Sequence, residues 1–212
     1  THPNHQGKGI FKKLTLQALE EIQQKRDCFV FNTPNDQSRP GYLKMGWQEV
    51  DKIKVALVPT FFYALPFLFS KKKVKSSITT LELETLCDMH NQNLVAKNVL
   101  FTPKSAQYLK WRYEENPLQD YIIYATPEFY VAMYVKKHRF FNELRIVESI
   151  GVEESRNNTL LKNYIIKQAF QNKCWLITLA DKNLFSLKIY GSFGPKLTFR
   201  PLTNSNLFIQ KA

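Results

Sequence analysis

Gly7 and Gly9 flank a single lysine directly ahead of a stretch with helical periodicity, and this arrangement constrains the start of the fold more than any other feature. The chain has only 7 glycines in 212 residues, so two within three positions mark a place where the backbone needs their conformational freedom. From Gly9 onward Ile10, Leu14, Ala18 and Ile22 recur at near-helical spacing, with Lys12, Lys13, Gln17 and Glu20 on the other faces. Lys25 and Arg26 suit the C-terminal end of such a helix. The spacing therefore predicts a tight turn opening a helix at about residue 9. A helix N-terminus presents unpaired N–H groups and a positive dipole end, so Gln6-Gly7-Lys8-Gly9 is suited to phosphate oxygens, with Lys8, Lys12 and Lys13 as added charge. Taken alone, the same residues also make a plain turn. They are not a Walker A loop, since no Gly-Lys-Ser/Thr follows. They are not a dinucleotide-binding fingerprint either, which needs a preceding strand and a third glycine.

The elements that follow alternate. Residues 28–31 read as a short buried strand, residues 37–45 as a short helix stopped by Gly46, and residues 47–58 as a further strand. After a boundary at about residues 76–80, a helix is expected over 81–93 with Thr79 or Thr80 as its cap, and another over 105–113. Strand-like runs cover 121–125, 129–136 and 143–150. A helix over 159–171, a strand over 175–179, a short helix over 183–190 and a last strand over 196–201 complete the chain. The expectation is an α/β (α+β) chain of two mixed sheets flanked by helices, whose second half repeats the plan of the first without sequence identity. The divisions expected are residues 1–60, a connector at 61–76, and a second domain over 77–212.

About thirty residues after the glycine turn stands Asn35-Asp36-Gln37-Ser38-Arg39-Pro40-Gly41-Tyr42-Leu43-Lys44-Met45-Gly46-Trp47. Asn35, Ser38, Tyr42, Gly46 and Trp47 resemble the second conserved segment of the GNAT (Gcn5-related) N-acetyltransferases, while Gln6 and Gly9 resemble the first. The second half, through Tyr108-Leu109-Lys110-Trp111-Arg112-Tyr113, Asn116-Pro117 and Tyr121, is similar to bacterial tandem-GNAT proteins. The resemblance implies that acetyl-CoA is the co-substrate, its pyrophosphate held by the backbone from Gly7 through Lys8, Gly9 and Ile10 to Phe11, with Gln6 in the same loop. It implies that an amine attacks the thioester directly and that Tyr42 protonates the departing thiolate, with Asn35 and Ser38 along the pantetheine arm. Tyr42 as an amphipathic core residue is the competing reading. Phe11 departs from the family pattern, which prefers a small residue. Its ring either crowds the pyrophosphate or turns inward onto the core. The family fold also places four strands before this helix, so the chain as it stands is expected not to complete a standard site alone: it is a fragment, or the missing strands come from elsewhere, or the fold is rebuilt by the second half.

Composition adds limits. A net charge of +12, from 30 basic and 18 acidic residues, favours anionic partners, yet no zinc-finger spacing, recognition helix or aromatic-basic RNA motif accompanies it. Nucleic acid is therefore not the expected partner; acetyl-CoA and a small amine such as an amino sugar are, and a homodimer is compatible. Cys28, Cys87 and Cys174 are too dispersed for a disulfide framework or a metal site, and they suit a reducing cytoplasm. Residues 55–69 are apolar but contain Pro59 and Pro66, and are too short for a spanning helix, which needs about 20 residues. They read as an interdomain packing segment, with peripheral membrane contact, aided by Lys71-Lys72-Lys73-Val74-Lys75, as the minor reading. Where the second half should carry its phosphate loop it has Gly151-Val152-Glu153-Glu154-Ser155. The glycine pair is missing and two acids oppose pyrophosphate. A degenerate, non-catalytic GNAT-like domain is expected there, with Trp111 buried under Arg112. The alternative to an acetyltransferase is thus a GNAT-like binding or scaffold module with an incomplete donor site.

Overall fold

The computed structural model describes residues 3–5, 7–23, 29–63, 77–99, 101–151, 159–181 and 183–202. Gln6, Cys28, Lys25 and Arg26 (expected to end the first helix), the lysine run at 71–75 and the acidic residues Glu153 and Glu154 lie outside them. The chain forms two compact units, one of Thr1–Lys54 with Ser192–Ala212 and one of Val55–Gly191.

The first unit contains α1 (Ile10–Gln23), β1 (Phe29–Asn32), α2 (Arg39–Lys44), β2 (Gln48–Lys52) and the strand Lys196–Pro201, here β9. Its sheet has the order β1-β9-β2, and β9 runs antiparallel to both neighbours, with Val30 opposite Arg200 and Gln48 opposite Phe199. The buried Thr198 donates its hydroxyl to Asn32 Oδ1, which ties β9 to β1 by a side chain as well as by the ladder. Leu19, Met45, Trp47 and Leu202 form the core, with Leu16, Val30 and Tyr42 packed on it. The helical face presented to that core is therefore Leu16 and Leu19. The stripe expected from Ile10, Leu14, Ala18 and Ile22 does not face it, and Leu14, Ala18 and Ile22 are exposed. Helical periodicity in α1 supports two apolar faces, and the three-stranded sheet takes the one centred on residues 16 and 19.

The second unit is a six-stranded sheet of order β4-β5-β6-β7-β3-β8, built from β3 (Val55–Pro59), β4 (Ile122–Thr126), β5 (Phe129–Lys137), β6 (Asn142–Gly151), β7 (Cys174–Leu179) and β8 (Ile189–Gly191). All its pairings are antiparallel except β6 with β7. α5 (Thr159–Gln171) buries Leu161, Ile165, Ile166 and Ala169 on one face, against Val131, Met133, Leu144 and Ile177. On the other face α3 (Thr80–Ala96) and α4 (Ala106–Leu109, continued as a π-helical turn over Lys110–Glu114) bury Leu83, Leu86, Leu109 and Tyr113 against Tyr130, Ala132 and Ile150. α3 starts in a capping box: Thr79 N donates to Glu82 Oε2 at 2.8 Å and Glu82 N to Thr79 Oγ1 at 3.3 Å.

Three expectations change. Residues 47–58 are two strands, with β2 in the first unit's sheet and β3 in the second's. Val55–Pro59 is accordingly a sheet strand, with Ala56 and Val58 fully buried. The last strand, placed in the second domain by the sequence, lies in the middle of the first unit's sheet. The helix expected over 183–190 is absent among the described residues; the segment closes with β8, a strand added to the outer side of β3. Its brevity explains the misreading, because a short apolar run does not distinguish strand from helix by period.

Candidate functional site

Gly7 and Gly9 adopt φ of +76° and +68°, and the helix bond from Lys13 N to Gly9 O, 3.0 Å, starts α1. Among the described residues, chain neighbours aside, no atom lies within 4 Å of where a Cβ would stand at either residue. These glycines are thus required by backbone conformation and not by crowding. Lys8, between them, is exposed, as are Lys12 and Lys13. Beginning at Ile10, the first turn of α1 has N–H groups without helical partners, at the positive end of a 14-residue dipole.

α2 brings the second motif to this turn. Asn35 Oδ1 accepts from Ser38 N and from Ser38 Oγ, both at 2.8 Å, and Asn35 O accepts from Arg39 N at 2.9 Å, so these two residues close the turn that starts the helix. Pro40 sits in the first turn, where a missing N–H costs nothing. Gly46 ends the helix at φ +92°. Between these stops Tyr42 is half-buried, with its ring edge-on to Phe11 and to Trp47, each at a centroid distance of 5.1 Å. The ring of Phe11 therefore turns onto α2 and leans over Gly41, where a Cβ would stand 3.2 Å from it. Gly41, which the motif reading passed over, is what lets a large ring stand where a small residue is usual.

Arg200, also missed by the sequence reading, anchors the far end of α2. From β9 its Nη1 donates to Met45 O at 2.6 Å, and its guanidinium lies 5.3 Å from the centre of the Trp47 ring. No local pattern announces this partner, which is 155 residues from Met45 in the chain. Trp47 Nε1 is buried with no hydrogen-bond partner among the described residues. Arg39, at the start of α2, pairs with Glu49 of β2 at 3.4 Å.

Residues 1–50 match the family described as an acetyltransferase (GNAT) domain. The first fifty residues are thus similar to a GNAT acetyltransferase domain. Solved structures agree on the fold. A GCN5-related N-acetyltransferase from Kribbella flavida superposes with a TM-score of 0.61 at 11% identity, covering 94% of this chain and 49% of that one. Another from Anabaena variabilis ATCC 29413 gives 0.57 at 14% identity, covering 95% and 53%. The chain thus spans about half the length of these two structures. The comparison with curated proteins found no match. The matched segment contains both the glycine turn and the Asn35 to Trp47 stretch, and the fold holds them together in one unit.

The second unit holds a separate cleft. β6 and β7 pair only from Asn142 to Arg145, and beyond that point a space of about 470 Å³ opens between them, lined by Glu148, Ser149, Asp181, Asn183 and Tyr190 among others. Glu148 is engaged by Lys104 Nζ at 2.7 Å and by the Tyr113 hydroxyl at 3.2 Å. Burial, then the charge of Glu148, pushes the Tyr113 phenol well up, so it remains a donor. Trp111, expected under Arg112, is exposed, and Arg112 lies over Tyr113 instead. Among the described residues no three His, Cys, Asp or Glu side chains form a metal site, and no helix is long and apolar enough to cross a membrane.

Proposed function

We propose that the protein is an acyl-CoA-dependent N-acetyltransferase that transfers an acetyl group to a small amine, with the donor site on the first unit. The observation that carries this is the meeting of the two motif halves: Phe11, in the first turn of α1, touches Tyr42 of α2 at 5.1 Å, beside two glycines in the left-handed region. In this reading the backbone N–H groups from Gly7 to Phe11 receive the pyrophosphate, and Lys8 adds charge at the loop. Asn35 and Ser38 shape the turn facing the pantetheine arm. The amine nitrogen attacks the thioester carbonyl and gives up a proton to a base or a water chain; the C–S bond breaks, and Tyr42 gives its hydroxyl proton to the thiolate leaving group and regains one from solvent. An amino sugar is an acceptor of the right class.

Calorimetry with acetyl-CoA tests the donor site. Micromolar binding is expected, abolished by Gly9→Glu, which places a carboxylate where phosphate should lie. Loss of binding with Gly9→Ala should be smaller, since the alanine meets no neighbour and costs roughly 1–2 kcal/mol of backbone strain. Tyr42→Phe should leave acetyl-CoA affinity intact and lower CoA release about 100-fold. Absence of acetyl-CoA binding by the wild-type protein would overturn the reading. Binding without turnover, and with no effect of Tyr42→Phe, would instead identify a GNAT-like binding module. The packing of Tyr42 between Phe11 and Trp47 favours that second reading to the extent that the ring is structural.

A further inference from the structure

We propose that one end of the second unit is a docking surface for anionic lipid bilayers, made of exposed aromatic rings set among lysine and arginine. The sheet register brings the parts together. β6 meets β7 with Asn142 opposite Cys174, and Asn142 Nδ2 donates to Asn172 O at 3.0 Å. The tip of the β5–β6 hairpin, residues 138–141, therefore lies beside the start of β7. β3 runs antiparallel on the other side of β7, with Pro59 opposite Leu176, and Thr60 Oγ1 donates to Cys174 O at 2.9 Å. That brings the 3₁₀ turn Thr60–Tyr63 to the same end. With neighbouring strands about 4.8 Å apart, the turn and the hairpin tip are on the order of 10 Å apart. The chain enters β3 at Val55 and leaves β8 at Gly191, at the opposite end.

The side chains at this end are apolar and cationic. Phe140 is 82% exposed, Trp175 71%, Phe61 67% and Phe62 50%. Scattered exposed apolar residues are ordinary, but four large rings gathered at one end of a sheet mark an interaction surface. Lys137, Arg139 and Lys173 are exposed beside them, and the Arg139 guanidinium lies 5.1 Å from the centre of the Phe140 ring. The nearest acid on β6, Glu143, is buried and already paired with Arg145 and His138. Asp120, exposed ahead of β4, stands a strand beyond β5. Phe and Trp rings settle at the headgroup level of a bilayer, and nearby cations meet the lipid phosphates. This pattern needs no spanning helix, and it does not depend on the donor site of the first unit.

Co-sedimentation of the whole protein with vesicles tests the proposal. Binding is expected to phosphatidylcholine vesicles containing roughly one-third phosphatidylglycerol, to weaken as salt rises, and to fall sharply on pure phosphatidylcholine. The double variant Phe140→Ser/Trp175→Ser should bind about tenfold or more weakly, and Lys137→Glu/Arg139→Glu about tenfold more weakly. These side chains are exposed, so the melting temperature should not move. In a Trp111→Phe background, Trp175 emission should shift to the blue on anionic vesicles, since Trp47 is already buried. Replacing Lys71, Lys72, Lys73 and Lys75 by Gln isolates the surface described here, and binding by that variant must persist and remain sensitive to Phe140→Ser. The proposal is overturned by no binding to anionic vesicles, by binding that ignores the serine substitutions, or by a preference for single-stranded DNA over vesicles.

Discussion

Replacing Arg200 by alanine should loosen the helix that carries Tyr42 without touching the glycine turn. The guanidinium makes two contacts at the end of α2, a charged hydrogen bond to Met45 O at 2.6 Å and a stack on Trp47 at 5.3 Å. A hydrogen bond from a charged donor contributes about 1.5–3 kcal/mol, and a cation over an indole about 0.5–1 kcal/mol at a partly exposed site. Water will replace part of the hydrogen bond in the variant, so the expected loss is about 2 kcal/mol. Because the chain has two units, global unfolding does not isolate this effect. Amide hydrogen exchange does. Met45, Gly46 and Trp47 donate to Gly41 O, Leu43 O and Tyr42 O, and their protection should fall about 30-fold in Arg200→Ala. Arg200→Lys keeps the charge but not the planar stack, and should lie between. Lys196→Ala, which removes an ion pair from the strand of Arg200 to Glu49 on β2, should change protection by about twofold or less. A change below about threefold in Arg200→Ala would refute the anchoring role.

Three other outcomes are expected. Gly194→Ala should destabilise the first unit by about 2 kcal/mol or more, read by amide hydrogen exchange of β2 and β9, because its Cβ would stand 2.5 Å from Ile53 O, a backbone atom that Gly194 N itself bonds at 2.9 Å. Burial raises the Glu143 carboxyl, but the hydrogen bonds from Arg145 and His138 outweigh it and hold the group at about 2. Its contribution to stability, on the order of 3 kcal/mol, is therefore complete above the ordinary value of 4.5 and is lost as pH falls from there towards 2. Glu143→Gln should flatten that part of the stability profile. Burial, reinforced by nearby carboxylates, pushes the thiols of Cys87 and Cys174 up to about 11, so neither should react with a thiol reagent at neutral pH until the protein is unfolded.

What could be read from sequence followed from local rules. The cap at Thr79, the helix over Thr159–Gln171 and the glycine stop at residue 46 each depend on residues within a few positions of one another. The expected pairing of the glycine turn with the Tyr42 segment was legible for a related reason: both lie in residues 1–50, and each has its own backbone signature. The partners of strands were not legible. Nothing in Val55-Ala56-Leu57-Val58-Pro59 or Lys196-Leu197-Thr198-Phe199-Arg200-Pro201 says which sheet receives it, since each reads as a short strand and strand character does not name a partner. The exposed face of α1 failed for a similar reason, because periodicity identifies faces but not the layer each one meets.

The placement of β9 has a consequence for the site. β1 and β2 do not pair with each other; each pairs with β9, so the first unit's sheet exists only when residues 196–201 are in place. The same strand supplies Arg200 to the end of α2 and the Thr198 hydroxyl to Asn32. α2 in turn holds Tyr42 against Phe11, and Phe11 belongs to the first turn of the helix opened by Gly9. A chain cut after Gly191 would keep every residue of both motifs and lose the strand that holds them in register. It should retain the second unit, whose six strands all lie between Val55 and Gly191. Limited proteolysis of such a truncation should therefore degrade residues 1–54 while sparing 77–191, and adding a synthetic peptide of residues 192–202 should restore protection of α2. Equal resistance of both units in the truncated chain would show that the first unit's sheet does not depend on its central strand.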